Sequence, residues 1–418
     1  MRYLLVSVLV AMLVTAVAAL GQPPGMGRPG EIGLPLQPRA RAVADSNDFA
    51  FRLYQHLRGE QGNIIVSPYS ITTALGMAYA GAAGETKRQM AKAIGFYGPD
   101  GQVHAALADL QRVLVARGQA APGRGGQPFQ FHVANALWAQ QGQSLLRAYL
   151  RTIDMYYAGG LQQLDFRANP EGARGAINQW VSKQTAGKIA DLLPRGVLNG
   201  NTRLVLTNAI YFNAAWQNQF QKSNTAPGPF TLLSGEVVKT DMMHHTFTTR
   251  YAQGKGYQLV ELPYAGMGFA MEVLLPDQGT FPQFEQSLTA ARWQSLLSSM
   301  HRGQVELAMP KWRFDTQLSL AQTLAAMGMK DAFDATRADF SAMDGKRDLF
   351  VQAVIHKAMV RVDEEGTEAA AATGVAMGVT SVAPGHVITI NVDRPFLFLI
   401  REQQTGAILF MGRVEDPR

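Results

Sequence analysis

The sequence predicts an α+β fold built around large antiparallel sheets. Helix-like segments crowd its first half and strand-like segments its second. One stretch, from Phe350 to Val362, alternates so regularly that it reads as a long half-buried strand. With 47% hydrophobic side chains over 418 residues, there is apolar material for a large core, in one big domain or several.

The first segment reads as an export signal over residues 1–19. Arg2 supplies the positive start, Leu4 to Val14 the apolar run, and Ala16-Val17-Ala18 a small-residue cleavage site. The competing reading of this segment is an uncleaved membrane anchor. A Pro/Gly-rich tether is expected over residues 20–41, because GQPPGMGRPGEIGLPLQPR (Gly21 to Arg39) is too rich in Pro and Gly for a packed element. The folded domain is placed at 42–418. These features predict a secreted or periplasmic, monomeric protein with no stable membrane association.

Within that domain, DSNDFAFRLYQHLRG opens with cap-type residues and sets Phe49, Leu53 and Leu57 on one helical face. NIIV (Asn63 to Val66) is a short strand that runs into Ser67-Pro68, a cap followed by a first-turn proline. Thr86 and Gln89 are spaced as a capping box for TKRQMAKAIGF. APGRGGQP (Ala121 to Pro128) reads as a surface loop. FQFHVANALWAQ and TRLVLTNAIYFNAAW have strand composition, with a helix between them that starts at Asn169-Pro170. YQLVELPY and FAMEVLLP are shorter strands. In the long strand Phe350, Gln352, Val354, His356, Ala358, Val360 and Val362 share one face, and Lys357, Arg361 and Asp363 the other.

Several chemistries are excluded or unsupported. With no cysteine there is no disulfide, thiolate nucleophile or Cys-based metal site. No sequon occurs either, and an exported chain lacking both points to a bacterial source. The eight histidines show no metal spacing, and neighbouring His244 and His245 point to opposite faces of a strand. No nucleotide fingerprint, nucleophile elbow or paired carboxylate nominates a cofactor or a catalytic residue. The net charge of +6 is scattered, which argues against nucleic acid. His356 reads as a hydrogen-bonded core histidine rather than a base.

After the long strand comes EEGTEAAAATGVAMGVTS (Glu364 to Ser381). It is helix-like at first and strand-like later. If extended, it would carry Thr367, Ala369, Ala371, Thr373, Val375, Met377 and Val379 on one uncharged face. Gly366 supplies a backbone hinge ahead of them. A plain flexible loop is the alternative, but that leaves the alternation unexplained.

DEEGTEAAAATG resembles the reactive-loop hinge of the serpin family. NIIVSPYSITTALGMAYAGAAGETKRQM, TRLVLTNAIYFNAAW and RPFLFLIREQQTGAILFMGRVEDP resemble further family motifs, in the family's order, from about residue 42 to 418. The resemblance implies a serpin fold with three β-sheets, about nine helices and an exposed reactive-centre loop at about 364–390. It also implies a suicide inhibitor of serine proteases rather than an enzyme, working without a metal or cofactor. The hinge is then Glu364, Glu365, Gly366, Thr367, Glu368, Ala369, Ala370, Ala371 and Ala372.

Counting along the hinge as the family does places the reactive bond at Thr380-Ser381, with Val379 and Met377 as alternatives. The small and apolar residues there imply an elastase-like or subtilisin-like target, cysteine proteases with apolar pockets remaining open. The same resemblance assigns Ser67, Ser70, Asn208 and His356 to the family's shutter, where the central strands part. It assigns Trp216, Lys311 and Glu364 to its breach, with an expected Lys311–Glu364 ion pair. Arg112, Arg117 and Arg124 are dispersed, against a polyanion site. A non-inhibitory member, a carrier or chaperone, is the rival function, but Thr367 and the alanines suit insertion.

Overall fold

A computed structural model describes residues 38–120, 130–266, 268–367 and 387–418. The expected export signal, the Ala121–Pro128 loop, hinge residues Glu368 to Ala372 and the reactive bond lie outside the described residues.

The first half supplies six helices: α1 (Pro38–Leu57), α2 (Pro68–Gly81), α3 (Gly84–Ile94), α4 (Asp100–Ala120), α5 (Arg147–Tyr157) and α6 (Pro170–Gln184). Four shorter ones follow: α7 (Phe281–Gln286), α8 (Ala290–Ser298), α9 (Ala321–Ala326) and α10 (Ser341–Asp344). Two caps form where the sequence places them. Ser67 Oγ accepts from the Ser70 amide at the start of α2, and Asn169 Oδ1 accepts from the Gly172 amide at the start of α6. Helix α1 begins at Pro38, so it takes in the end of the expected tether. The capping box at Thr86 and Gln89 does not form. Helix α3 starts two residues before Thr86, with Ala83 at its cap. Thr86 Oγ1 instead accepts from the Asp339 amide at 2.9 Å, and Gln89 Oε1 from the Asp331 amide at 2.8 Å. Both polar side chains thus tie α3 to a distant segment.

Fifteen strands are described. The first half of the chain gives β1 (Ile64–Val66), β2 (Gln130–Gln140), β3 (Leu161–Leu164) and β4 (Leu204–Ala215). The middle of the chain gives β5 (Ala226–Thr231), β6 (Val237–Gly254), β7 (Tyr257–Pro263), β8 (Phe269–Pro276), β9 (His301–Pro310) and β10 (Trp312–Ser319). The remainder are β11 (Val351–Val362), β12 (Gly366–Thr367), β13 (Ile388–Asn391), β14 (Phe396–Glu402) and β15 (Ile408–Val414).

They hydrogen-bond as one six-stranded sheet, in the order β10-β11-β12-β4-β2-β3, and one nine-stranded sheet. The nine-stranded sheet combines what three-sheet counting treats as two. Its 18-residue β6 pairs with β5 over 237–242, with β9 over 242–251 and with β7 over 251–254, joining both halves. A core lies between the two sheets, where Ile210, Phe212, Ala358 and Val360 of one pack with Met271, Val273, Phe398 and Ile400 of the other. All these elements belong to one compact unit.

Strand β11 departs from a simple half-buried pattern. Near its C-terminal end the alternation holds, with Arg361 exposed between buried Val360 and Val362. Lower down both faces are buried, because Ala353 and Ile355 join an outer cluster with Ile177 and Val181 of α6 and with Leu192 and Leu193. Helix α6 and the segment behind it therefore cover the outer face of the six-stranded sheet, and Asn178 holds that segment by accepting from the Leu192 and Leu193 amides.

Candidate functional site

Strands β11 and β4 are parallel neighbours in the middle of the six-stranded sheet, in register from Ala353 against Val205 to Ala358 against Ile210, with a register shift between Val351 and Ala353. Above that point they part. After Val362 the chain turns sharply, with Asp363 Oδ1 accepting from the Glu365 amide at 3.0 Å and the Gly366 amide at 3.3 Å. Strand β12 then runs back between the parted strands. Thr367 pairs antiparallel with Val362 on one side and Ala214 on the other, and Gly366 with Ala215. The sequence marked Gly366 as a hinge. Its structural requirement is space, since a Cβ there would sit 2.1 Å from the Ala214 carbonyl oxygen. Thr367 faces inward, its Oγ1 2.7 Å from the Tyr264 hydroxyl.

The turn is held from several directions. The Trp216 indole stacks on the Tyr264 ring at 4.6 Å and donates to the Asp363 carbonyl at 2.9 Å. Trp216 also gives its amide to the Glu365 carbonyl, and Phe220 gives its amide to that of Glu364. Lys311 Nζ lies 3.3 Å from Glu364 Oε1 and 3.2 Å from Asp241 Oδ2. Thr225 Oγ1 donates to Glu364 at 2.8 Å, and Lys222 Nζ to Glu365 at 2.7 Å. Burial opposes the charge on Glu364. The amide, hydroxyl and ammonium donors around it outweigh that and hold its carboxyl below the usual range.

Lower in the sheet, a polar row crosses three strands where hydrophobic side chains would be expected. His356 of β11 stands opposite Asn208 of β4, which stands opposite Asn135 of β2. His356 Nε2 accepts from the Ser67 amide at 3.1 Å, so its proton sits on Nδ1, which donates to Asn208 Oδ1. Asn208 Nδ2 donates to Ser70 Oγ at 2.5 Å and to Asn135 Oδ1. Ser70 Oγ donates to Asn135 Oδ1 at 2.9 Å, and Asn135 Nδ2 to the Ser70 carbonyl at 3.1 Å. Full burial pushes the His356 imidazole down to about 3, so it is neutral and cannot serve as a base near pH 7. Hydrogen-bonded in this way, the row ties α2 to the pair of strands that meets below β12.

A model of the family described as serpin (serine protease inhibitor) matches residues 44–417. The chain belongs to the serpin family. An uncharacterised serpin-like protein of Thermococcus kodakarensis is 38% identical over 89% of this chain and 85% of its own. The leukocyte elastase inhibitor of Bos taurus is 36% identical over 85% of this chain and 93% of its own. Among solved structures, uncleaved ovalbumin overlays with a TM-score of 0.79 at 27% identity, over 90% of this chain and 100% of its own. Human thyroxine-binding globulin, in complex with thyroxine, overlays at 0.80 and 28% identity, over 91% and 100%. The fold of this serpin is thus shared with a thyroxine-binding globulin, and its sequence is similar to that of a relative named as an elastase inhibitor.

In this serpin the sequence-assigned shutter residues Ser67, Ser70, Asn208 and His356 meet in one hydrogen-bonded cluster. Trp216, Lys311 and Glu364 meet around the β11–β12 turn. Sequence reasoning missed Asn135, Tyr264, Lys222 and Thr225. For Asn135 a signal existed: it is the one polar residue among Phe131, Val133, Asn135 and Leu137, every second position of β2. Lys222 opens a short 3-10 helix that Thr225 caps, too short for a period to mark direction, and Tyr264 ends the YQLVELPY stretch in a single bridge to Trp216.

Proposed function

We propose that this serpin is an exported suicide inhibitor of serine endopeptidases that uses the loop after β12 as bait. A target's serine attacks the carbonyl of Thr380, the amine of Ser381 leaves, and an acyl ester joins the two proteins. The freed hinge then enters the six-stranded sheet and pulls the protease with it before water can cleave the ester. The uncharged Met377-Gly378-Val379-Thr380 stretch suits an elastase-like or subtilisin-like pocket.

The observation that carries this proposal is the position of β12, already antiparallel to both strands at the point where they part. Extending its register residue by residue sets Glu368 opposite Arg361 and Asn213, and Thr373 opposite His356 and Asn208. Val375, Met377 and Val379 then share the inward face of Thr367, and each fully buried side chain contributes roughly 1.5–3 kcal/mol. Strand entry exchanges the parallel pairing of β11 and β4 for two antiparallel ladders, and antiparallel pairing is slightly more stable per residue. Such a fold is held by kinetics until the loop is cut.

Mass spectrometry of a quenched mixture with an elastase-like or subtilisin-like protease tests the assignment. An adduct on Thr380 supports it. Adducts on Val379 or Met377 move the reactive bond, and clean turnover of the loop with no adduct removes the inhibitory reading in favour of a carrier.

A further inference from the structure

Strand β14 ends in two buried charges that point to opposite faces of the nine-stranded sheet. Glu402 meets Arg117 at 3.1 Å and accepts from the Gln404 and Thr405 amides of the turn that follows. Every charged partner it needs is present.

Arg401, on the other face, is shared. Its Nε donates to Glu272 Oε1 of β8 at 2.5 Å, and its Nη2 to Glu261 Oε2 of β7 at 3.0 Å. Glu261 and Glu272 are register partners across β7 and β8, so two carboxylates stand directly opposite each other. Like charges in that position repel. A second guanidinium, Arg250 of β6, reaches Glu261 at 3.5 Å, but its side chain is 42% exposed and it also donates to the Leu297 carbonyl of α8. Tyr264 adds a remote phenol, itself neutral because of burial. The fully buried centre therefore holds one cation between two acids, and Arg250 helps the acid on the rim.

Glu272 is the less favoured of the two. It has no exposed surface, and across β14 it faces Leu399. Its Oε2 has no hydrogen-bond partner among the described residues. An ionised carboxylate with one orphan oxygen in apolar surroundings is costly, and taking up a proton removes that charge. Burial, with the neighbouring Glu261, outweighs the attraction of Arg401 and pushes the Glu272 carboxyl up to about 8.

We propose that Glu272 holds a proton at neutral pH and that its ionisation in the alkaline range loosens the β7–β8–β14 layer, making it a pH-sensitive latch. For a carboxyl raised above its unfolded value, stability is complete at acid pH. It drains as pH climbs from about the unfolded value of 4.5 towards 8, then levels off. Over that window the unfolding equilibrium constant shifts by up to about tenfold per pH unit for one proton. The latch does not depend on whether the protein inhibits proteases.

Infrared difference spectra of the full-length protein at pH 7, wild type minus Glu272→Gln, test it. The expected result is a band from a protonated carboxylic acid that disappears above pH 9. Denaturant unfolding from pH 5 to 9 should show wild-type stability falling relative to Glu272→Gln by the slope above. If Glu272→Gln fails to fold, Glu261→Gln replaces it. Freeing Arg401 for Glu272 alone should then shift loss of the acid band to lower pH. No acid band at pH 6 to 7, or parallel pH profiles for wild type and variant, overturns the proposal.

Discussion

His356 and Asn208 face each other across the parallel pair β11–β4, and the imidazole Nδ1 donates to the Asn208 side-chain carbonyl. The bond spans the seam that a new strand would have to open. Replacing His356 with Ala strands the Ser67 amide and Asn208 Oδ1 in the core, at a cost of about 1–3 kcal/mol for each buried group left unmade. Calorimetry should show a lower melting temperature, and spontaneous loss of the uncleaved form should quicken.

Acid should weaken the protein through the same residue. Burial holds His356 down at about 3 and His104, beside the Tyr157 hydroxyl, at about 4, both below the usual 6.5. For a depressed folded value, stability is full above about pH 6.5 and is lost as pH falls towards those values. Each imidazole costs up to about 1.4 kcal/mol per pH unit in that window. Because Glu272 works in the opposite direction over this window, the comparison belongs in the Glu272→Gln background: unfolding curves at pH 7 and 5 should separate there, and adding His356→Gln should remove part of the difference.

Gly366→Ala should expel β12. The new methyl meets backbone at the Ala214 carbonyl, which has no room to yield. The expected variant is cleaved in its loop by target proteases but traps none. Trp216, whose indole holds the adjoining turn, should report the change by fluorescence. A variant that traps as well as wild type would show that β12 need not be seated beforehand.

Lys311→Ala leaves Glu364 with Thr225 as its nearest donor. Because Lys311 is one-third exposed, the loss should be on the order of 0.5–1 kcal/mol. The ratio of trapped to turned-over inhibitor should fall a few-fold. An unchanged loop-insertion rate would count against a role for this pair.

Arg361 and Arg313 are register partners on the outer face of β11 and β10, with Asp363 3.2 Å from Arg361 as a nearby acid. Insertion would bring Glu368 opposite Arg361, relieving that like-charge pair. Arg361→Glu should therefore slow trapping, by about 0.2–1 kcal/mol in barrier, and adding Glu368→Lys should restore it.

Local periodicity made much of this legible. The alternation of β11, the caps at Ser67 and Asn169 and the strand at Leu204–Ala215 follow from side-chain spacing alone. The joining of sheets through β6 does not, because a strand's partners are set by what folds beside it. Thr86 was misread because its hydroxyl is claimed by the Asp339 amide, far along the chain. Ala353 and Ile355 lie on a face that looked solvent-facing, and only α6 explains their burial. The shutter cluster was legible by resemblance. Asn135 interrupts the apolar alternation of β2, but its partners Ser70 and Asn208 lie on other elements, which spacing within one strand does not reveal.

In the proposed mechanism, cleavage turns the loop into a strand before the acyl ester is lost. Denaturing electrophoresis of the protein mixed with an elastase-like or subtilisin-like protease tests this most directly. The expected result is a covalent band at the summed mass, resistant to denaturant, absent when the protease serine is blocked beforehand. Complete conversion to loop-cleaved protein, with no such band and no gain in heat stability, would contradict it.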